Sequence, residues 1–248
     1  MPSPDLEIIA HRGYSTRAPE NTLAAVETAI RAGADAIEWD VHVAACGTPV
    51  LFHDANLSRT TNGVGPIRSQ TLVQLQMLDA GRWFGVGSAG EKIPSLADAL
   101  ELTKGRVRRV YTEVKGFREL EDLYRMVDIV READRIIDHV FISLDWAILD
   151  HIAERDPTAR IGYIVDLPER CDEALERATS NNRSLIDFDY RLVIDRAELV
   201  KRATDQGVAV AVWTVDDPAE AQVLCDAGVT RFTTNQVEAL LAWRVGVT

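Results

Sequence analysis

Short apolar runs rich in β-formers alternate with amphipathic stretches along the whole chain, and this alternation limits the possible folds more than any other feature. Strand-like runs fall near 6–11 (LEIIAH), 35–43 (DAIEWDVHV), 49–53 (PVLFH), 108–115 (RRVYTEVK), 139–143 (HVFIS), 160–165 (RIGYIV), 184–188 (SLIDF), 208–214 (VAVAVWT) and 230–234 (TRFTT). Helical patterns occupy about 20–32, 95–103, 118–133, 145–154, 168–179, 195–205, 216–226 and 235–243. Gly33, Gly105, Gly207 and Gly228 stand where several of these helices should end. Only "AACGT" separates the second run from the third. Parallel neighbours need a crossover of about a dozen residues, whereas antiparallel ones close in a hairpin, so the third run reads as an antiparallel return. Removing it leaves eight repeats of strand then helix, the pattern of a single (β/α)8 barrel in the α/β class. A doubly wound open sheet is the competing arrangement.

The hairpin carries a register. With Cys46-Gly47 as a two-residue turn, Ala45 pairs with Thr48 and Val43 with Val50, which sets His53 opposite Asp40 on the same face. A slip of one residue would turn His53 away.

No low-complexity or Pro/Ser-rich linker divides the 248 residues, so 1–248 reads as one domain with a short inserted segment at 54–94, after the second strand and its return. Within that segment Trp83 and Phe84 are expected to pin the loop to the barrel. The formal net charge of −12 repels nucleic acid and anionic lipid, so an anionic substrate needs a local cation. Cys46, Cys171 and Cys225 show no CxxC spacing, which argues against a thiolate zinc site and fits a reducing compartment. There is no run of eighteen apolar residues, and "MPSPDLE" resembles no signal peptide. The expectation is a cytoplasmic protein with no stable membrane association and no nucleic-acid partner; its oligomeric state is left open.

In a barrel, reactive groups gather at the C-terminal strand ends. Reading those ends yields His11 and Arg12, then Glu38 and Asp40, then Glu113 and Lys115, with His53 delivered by the return strand. Glu38/Asp40 and Glu113/Lys115 are i, i+2 pairs, so each pair faces one side of its strand. Three carboxylates at one mouth repel each other and are costly to desolvate, a cost that a hard divalent cation with oxygen ligands relieves. The blander readings are surface ion pairs for the carboxylates and structural roles for each histidine taken alone. His42 is in phase with Asp40 but takes no role, and His139 and His151 are read as structural.

"AHRG" followed by "PENT", then "EWDVH", "PVLFHD", "LSRTTNGVGPI", "DAGRWFG", "IPSLADAL", "TEVKG" and "VWTVDDP" together resemble the glycerophosphodiester phosphodiesterase family, in order over nearly the whole chain. The resemblance implies a (β/α)8 barrel that hydrolyses glycerophosphodiesters to glycerol 3-phosphate and an alcohol with a divalent cation, with Mg²⁺, Ca²⁺ and Mn²⁺ open. Carried across, it implies acid/base roles for His11 and His53 and metal ligation by Glu38, Asp40 and Glu113. It also places Arg12 and Lys115 near the phosphate and Trp213 on the glycerol side of the pocket. The chain departs from the family near its end, where "TTNQVEAL" has Asn235 and Val237 in place of an acidic residue and a proline. That departure is expected to affect the last loop and helix start and to leave the histidine and metal positions untouched.

The expected substrates are small water-soluble diesters such as glycerophosphocholine and glycerophosphoethanolamine, because no long amphipathic helix offers a membrane dock. A lysophospholipase D or phospholipase C-like lipid phosphodiesterase on the same barrel is the nearest alternative. A barrel that binds phosphodiesters without turnover is the other. Which histidine acts as base, and whether a cyclic phosphate forms, stay open at this stage.

Overall fold

A computed structural model describes residues 5–247. Nine strands form one sheet: β1 (Glu7–Ala10), β2 (Ala36–Val43), β3 (Pro49–Leu51), β4 (Arg109–Val114), β5 (His139–Ser143), β6 (Arg160–Val165), β7 (Ser184–Asp189), β8 (Ala209–Trp213) and β9 (Arg231–Thr234). Eight of them close into a parallel ring in the order β1-β9-β8-β7-β6-β5-β4-β2, sealed by β1 against β2, and β3 lies outside it, antiparallel to β2. The helices are α1 (Leu23–Ala32), α2 (Leu72–Met77), α3 (Leu96–Thr103), α4 (Leu120–Glu132), α5 (Trp146–Arg155), α6 (Cys171–Ser180), α7 (Tyr190–Asp195), α8 (Glu198–Thr204), α9 (Pro218–Asp226) and α10 (Val237–Val247). The fold is a (β/α)8 barrel. No helix among the described residues is long and apolar enough to cross a membrane.

The strands read as nearly unbroken apolar runs because both faces are covered. Outward residues such as Ile8, Ile37, Trp39 and Phe141 pack under the helices, while Ile9, Ala36, Tyr111, Val140, Ile142, Ile164, Leu185 and Ala211 fill the barrel interior. Below them the N-terminal end is plugged by Glu7, which takes Arg109 and Arg231 as ion-pair partners and the Tyr111 hydroxyl at 3.4 Å. The chemistry is left to the opposite end.

Three local features differ from the sequence reading. The hairpin loop has three residues, not two: Ala44 N–H donates to Thr48 O at 2.9 Å, and Gly47 adopts φ +78°, which suits a left-handed closing residue. The register is therefore shifted by one, pairing Val43 with Pro49 and His42 with Val50. The segment 54–94 contains the unexpected α2, started by a reciprocal Thr71–Gln74 cap. It builds a small core of its own, with Leu57, Ile67, Leu75 and Ile93 packed on Val50 and Phe52. Trp83 stays 42 % exposed, its indole N–H held by Ala80 O at 2.9 Å, and it lines no wall of the active cavity. Third, the helical stretch after β7 is two pieces, α7 and α8, the first begun by the Asp189 cap on Arg191 N–H.

His139 is fully buried against Phe141, and neither ring nitrogen has a hydrogen-bond partner among the described residues. Burial, with Arg135 adding to it, pushes this imidazole down to about 3. The folded value lies below the ordinary 6.5. Its contribution is thus fully present above about pH 6.5 and lost as pH falls toward 3, because the unfolded chain takes up the proton first. Replacing it with an apolar side chain, His139→Leu, should flatten the decline in unfolding free energy across that window; equal slopes for both proteins would contradict this account.

Candidate active site

The edge of β2 organises the site. Opposite β4, this edge pairs first with β1 at Ala36 and Ile37, and β1 then ends. The chain that leaves β1 stays on the same edge: Arg12 N–H donates to Glu38 Oε2 at 2.9 Å and Gly13 N–H to Glu38 O at 3.2 Å. Next in line, Phe52 N–H donates to Asp40 O at 2.9 Å, and β3 pairs with Val41–Val43. His11 and His53 are thereby set on either side of the carboxylates of one strand. Arg12 and Gly13 take positive φ, +56° and +75°, to make the sharp exit.

His53 reaches the cavity by a route other than the one expected. Its register partner would face away, but β3 stops at Leu51 and the chain bends, so the pleat no longer sets its direction. His42 holds the bend by donating from Nε2 to His53 O at 3.1 Å.

Glu38, Asp40 and Glu113 converge, with one oxygen from each within 4.8 Å of the others. Lys115 Nζ stands 2.7 Å from Glu113 Oε1 and 3.3 Å from Asp40 Oδ1. Arg12 Nε is 3.1 Å from Asp40 Oδ2, while its Nη1 donates to Glu20 at 2.8 Å. Burial alone would raise Asp40, yet Arg12 and Lys115 together hold it down at about 2. Glu38 is pushed well above the usual carboxylate range by burial and by Asp40 and Glu113, and Glu113 is raised by burial and Asp40. Glu38 Oε1 and Asp40 Oδ1 are buried and accept no hydrogen bond among the described residues. An all-oxygen set with two such buried atoms fits a hard divalent cation.

Asn21, in the left-handed region at φ +57°, locks Asp40 from behind, accepting from its N–H at 3.1 Å and donating to Oδ2 at 2.8 Å. Glu20 joins Arg12 to Arg59, and Arg59 donates from Nε to Asp54 Oδ2 at 2.7 Å. Asp54 in turn lies 2.6 Å from His53 Nδ1. None of Glu20, Asn21, Asp54 and Arg59 was singled out in sequence, although "PENT", "PVLFHD" and "LSRTT" contain them.

The late departure at Asn235 does touch a histidine, contrary to expectation. Asn235 Nδ2 donates to Asp216 Oδ2 at 2.9 Å and its backbone N–H to Asp216 Oδ1 at 2.7 Å, which fixes the amide so that Oδ1 faces His11 Nδ1 at 2.8 Å. An acceptor there requires the proton on Nδ1 and leaves the Nε2 lone pair aimed inward, 4.0 Å from Glu38. Burial, reinforced by Arg12, drops the imidazole to about 4, so it is neutral at physiological pH.

A cavity of about 320 Å³ collects His11, Arg12, Glu38, His53, Glu113 and Lys115 on one side. Ile142, Leu144, Ile164 and Trp213 face them. Trp213 donates from its indole to Asp187 O at 3.3 Å. Every residue given a catalytic, substrate or metal role in sequence except Asp40 lines this space, and Asp40 is buried beside it. His42 opens on a neighbouring hollow instead.

A family model described as the glycerophosphoryl diester phosphodiesterase family matches residues 11–239. The chain belongs to this family. A glycerophosphodiester phosphodiesterase of Caldanaerobacter subterraneus subsp. tengcongensis is 33 % identical over 240 residues, covering 94 % of this chain and 96 % of that one. Among solved structures, an Oleispira antarctica phosphodiesterase in complex with the product sn-glycerol 3-phosphate superposes with a TM-score of 0.89 at 28 % identity, covering 96 % of both chains. A glycerophosphodiester phosphodiesterase from Agrobacterium tumefaciens gives 0.82 at 28 % identity, over 96 % of this chain and 99 % of that one. The chain is thus an enzyme, and its activity is that of its family.

Two measurements probe the local geometry. A Cβ on Gly13 would lie 2.5 Å from the Ala25 carbonyl carbon, and φ is +75° there, so Gly13→Ala should lower unfolding free energy by about 2 kcal/mol or more. Nitrogen-15 NMR at neutral pH should report the Nδ1–H tautomer for His11, and Asp216→Ala, which frees the Asn235 amide to turn, should mix the two tautomers. A pure Nε2–H signal from the native protein would refute the assignment.

Proposed function

We propose that the chain hydrolyses water-soluble glycerophosphodiesters such as glycerophosphocholine and glycerophosphoethanolamine to sn-glycerol 3-phosphate and the free alcohol, with a divalent cation held by Glu38, Asp40 and Glu113. The observation that carries this reading is that two differently backed imidazoles share one cavity with an oxygen cluster short of positive charge. A cation bound there supplies a Lewis acid for a phosphoryl oxygen. The whole chain acts as one barrel unit, with 54–94 as its inserted segment.

The backing of each imidazole supports a division of roles. His11 is presented neutral, with Nε2 open and a neutral amide behind it, so it takes the proton from the attacking hydroxyl. His53 has the Asp54 carboxylate 2.6 Å behind Nδ1, which fixes the ring, and its Nε2 gives the proton to the departing alkoxide. Arg12 and Lys115 bring positive charge to the phosphate. Each is paired with a carboxylate of the cluster, and a divalent cation held by those oxygens would leave more of their charge for the phosphate. Trp213 lines the glycerol side.

His11→Ala and His53→Ala should each cut kcat by roughly 10²–10⁴-fold while leaving the melting temperature within a few degrees. A loss of only a few-fold in His53→Ala would sink its assignment. EDTA should abolish hydrolysis, and Mg²⁺, Ca²⁺ or Mn²⁺ should restore it. In EDTA, Glu38→Gln should melt no lower than the native protein, because a repelling buried charge has gone. Added Mg²⁺ should then raise the melting temperature of the native protein but not of the variant. Equal Mg²⁺ responses would remove Glu38 from the ligand set.

A further inference from the structure

One charged side chain of the cavity takes no part in the chemistry above. Asp187 lies on β7 and is 3 % exposed. Its Oδ1 has no hydrogen-bond partner among the described residues. No cation compensates it; the charge that acts on it is that of Glu113, of like sign. An unpaired carboxyl oxygen in an apolar surround is costly, and the cost falls when a ligand supplies the missing partner.

The position of Asp187 in the cavity indicates which part of the substrate that is. Ile142, Ile164, Asp187 and Thr233 are all nearly inaccessible and form the deep end, whereas Leu144 at the rim is 37 % exposed. The alcohol released by the reaction varies in size and has to depart, so it points to the open rim. Glycerol is common to all substrates of the reaction, and it occupies the closed end. There its carbons would meet Ile142 and Ile164, and the Asp187 carboxyl lines the same end of the cavity.

We propose that Asp187 reads the glycerol half of the substrate through a hydrogen bond between its carboxyl and a glycerol hydroxyl, which makes it the residue that sets preference for glycerol phosphates over other phosphate esters. This rests on the reading of the cavity given above. Burial and the nearby Glu113 push the Asp187 carboxyl up to about 8, so at neutral pH it can both donate and accept. That suits a hydroxyl and does not suit an ammonium group, which needs the ionised form.

The test is a binding measurement that needs no turnover: titration calorimetry in Mg²⁺ with sn-glycerol 3-phosphate and with n-propyl phosphate, which has the same chain without hydroxyls. The native protein should prefer glycerol 3-phosphate by roughly 10- to 100-fold, the worth of one hydrogen bond to a group of this kind. Asp187→Leu, close in size and apolar, should reduce the ratio to about threefold or less. Asp187→Asn, which keeps a donor and an acceptor, should retain most of it. Asp187→Ala serves if the leucine variant does not fold. The proposal is overturned if the native protein shows no preference, if the ratio survives in the leucine or alanine variant, or if both phosphates weaken equally. Tighter native binding of ethanolamine phosphate than of glycerol 3-phosphate, lost on substitution, would overturn it in favour of an ammonium site. Failure of the metal and histidine assignments would appear as metal-independent or absent hydrolysis, which this binding ratio does not register.

Discussion

Three carboxylates held close together, two of them buried and the third half-buried, are the constraint around which the C-terminal end of this barrel is built. Two unit charges about 4 Å apart repel by about 4 kcal/mol at an effective dielectric constant near 20, and a whole domain is stable by only about 5–15 kcal/mol. The cluster of Glu38, Asp40 and Glu113 therefore needs compensation, and Arg12 and Lys115 supply two positive charges against three negative ones. Asp40 receives most of that compensation and stays ionised; Glu38 and Glu113 are left raised. Such a site is under-neutralised by design of its sequence, and a divalent cation is the simplest group that completes it.

The position of the cluster also reconciles an anionic substrate with a net charge of −12. Charges farther than about 8 Å are largely screened at physiological ionic strength. A phosphodiester that has entered the mouth responds to the local cations and little to the acidic surface. Glu20, shared between Arg12 and Arg59, ties the two sides of the mouth together, so the guanidinium facing the cavity is held in place before a ligand arrives.

The architecture was legible because strand–helix alternation is a long-range pattern that survives local error. So were the carboxylates, since i, i+2 spacing on a strand fixes a common face. The hairpin register was not, because Gly47 can close either a two- or a three-residue loop and the apolar residues around it do not decide between them. His53 arrives at the cavity even so, since a bend rather than the pleat directs it. Asn235 was misjudged for a different reason: its contacts are with Asp216 and His11, 19 and 224 residues away. The pairing of β8 with β9 brings Asp216 to Asn235, and the ring closure of β9 on β1 brings His11 to both. Asp187 does carry a signal, an acidic residue between Ile186 and Phe188 on a strand that reads as buried.

The asymmetry between the two imidazoles follows from what stands behind each. A carboxylate behind a ring favours the protonated form more strongly than an amide, which accepts a hydrogen bond but carries no charge. With a carboxylate in place of Asn235, His11 would be drawn toward the cation, beside Arg12, and its Nε2 would no longer be open to receive a proton. With Asn235 turned by Asp216, the ring is oriented by its Nδ1 hydrogen bond, with a smaller gain in basicity than a full charge would bring. The roles proposed for the two rings, acceptor for His11 and donor for His53, are those that a reaction taking up one proton and releasing another requires.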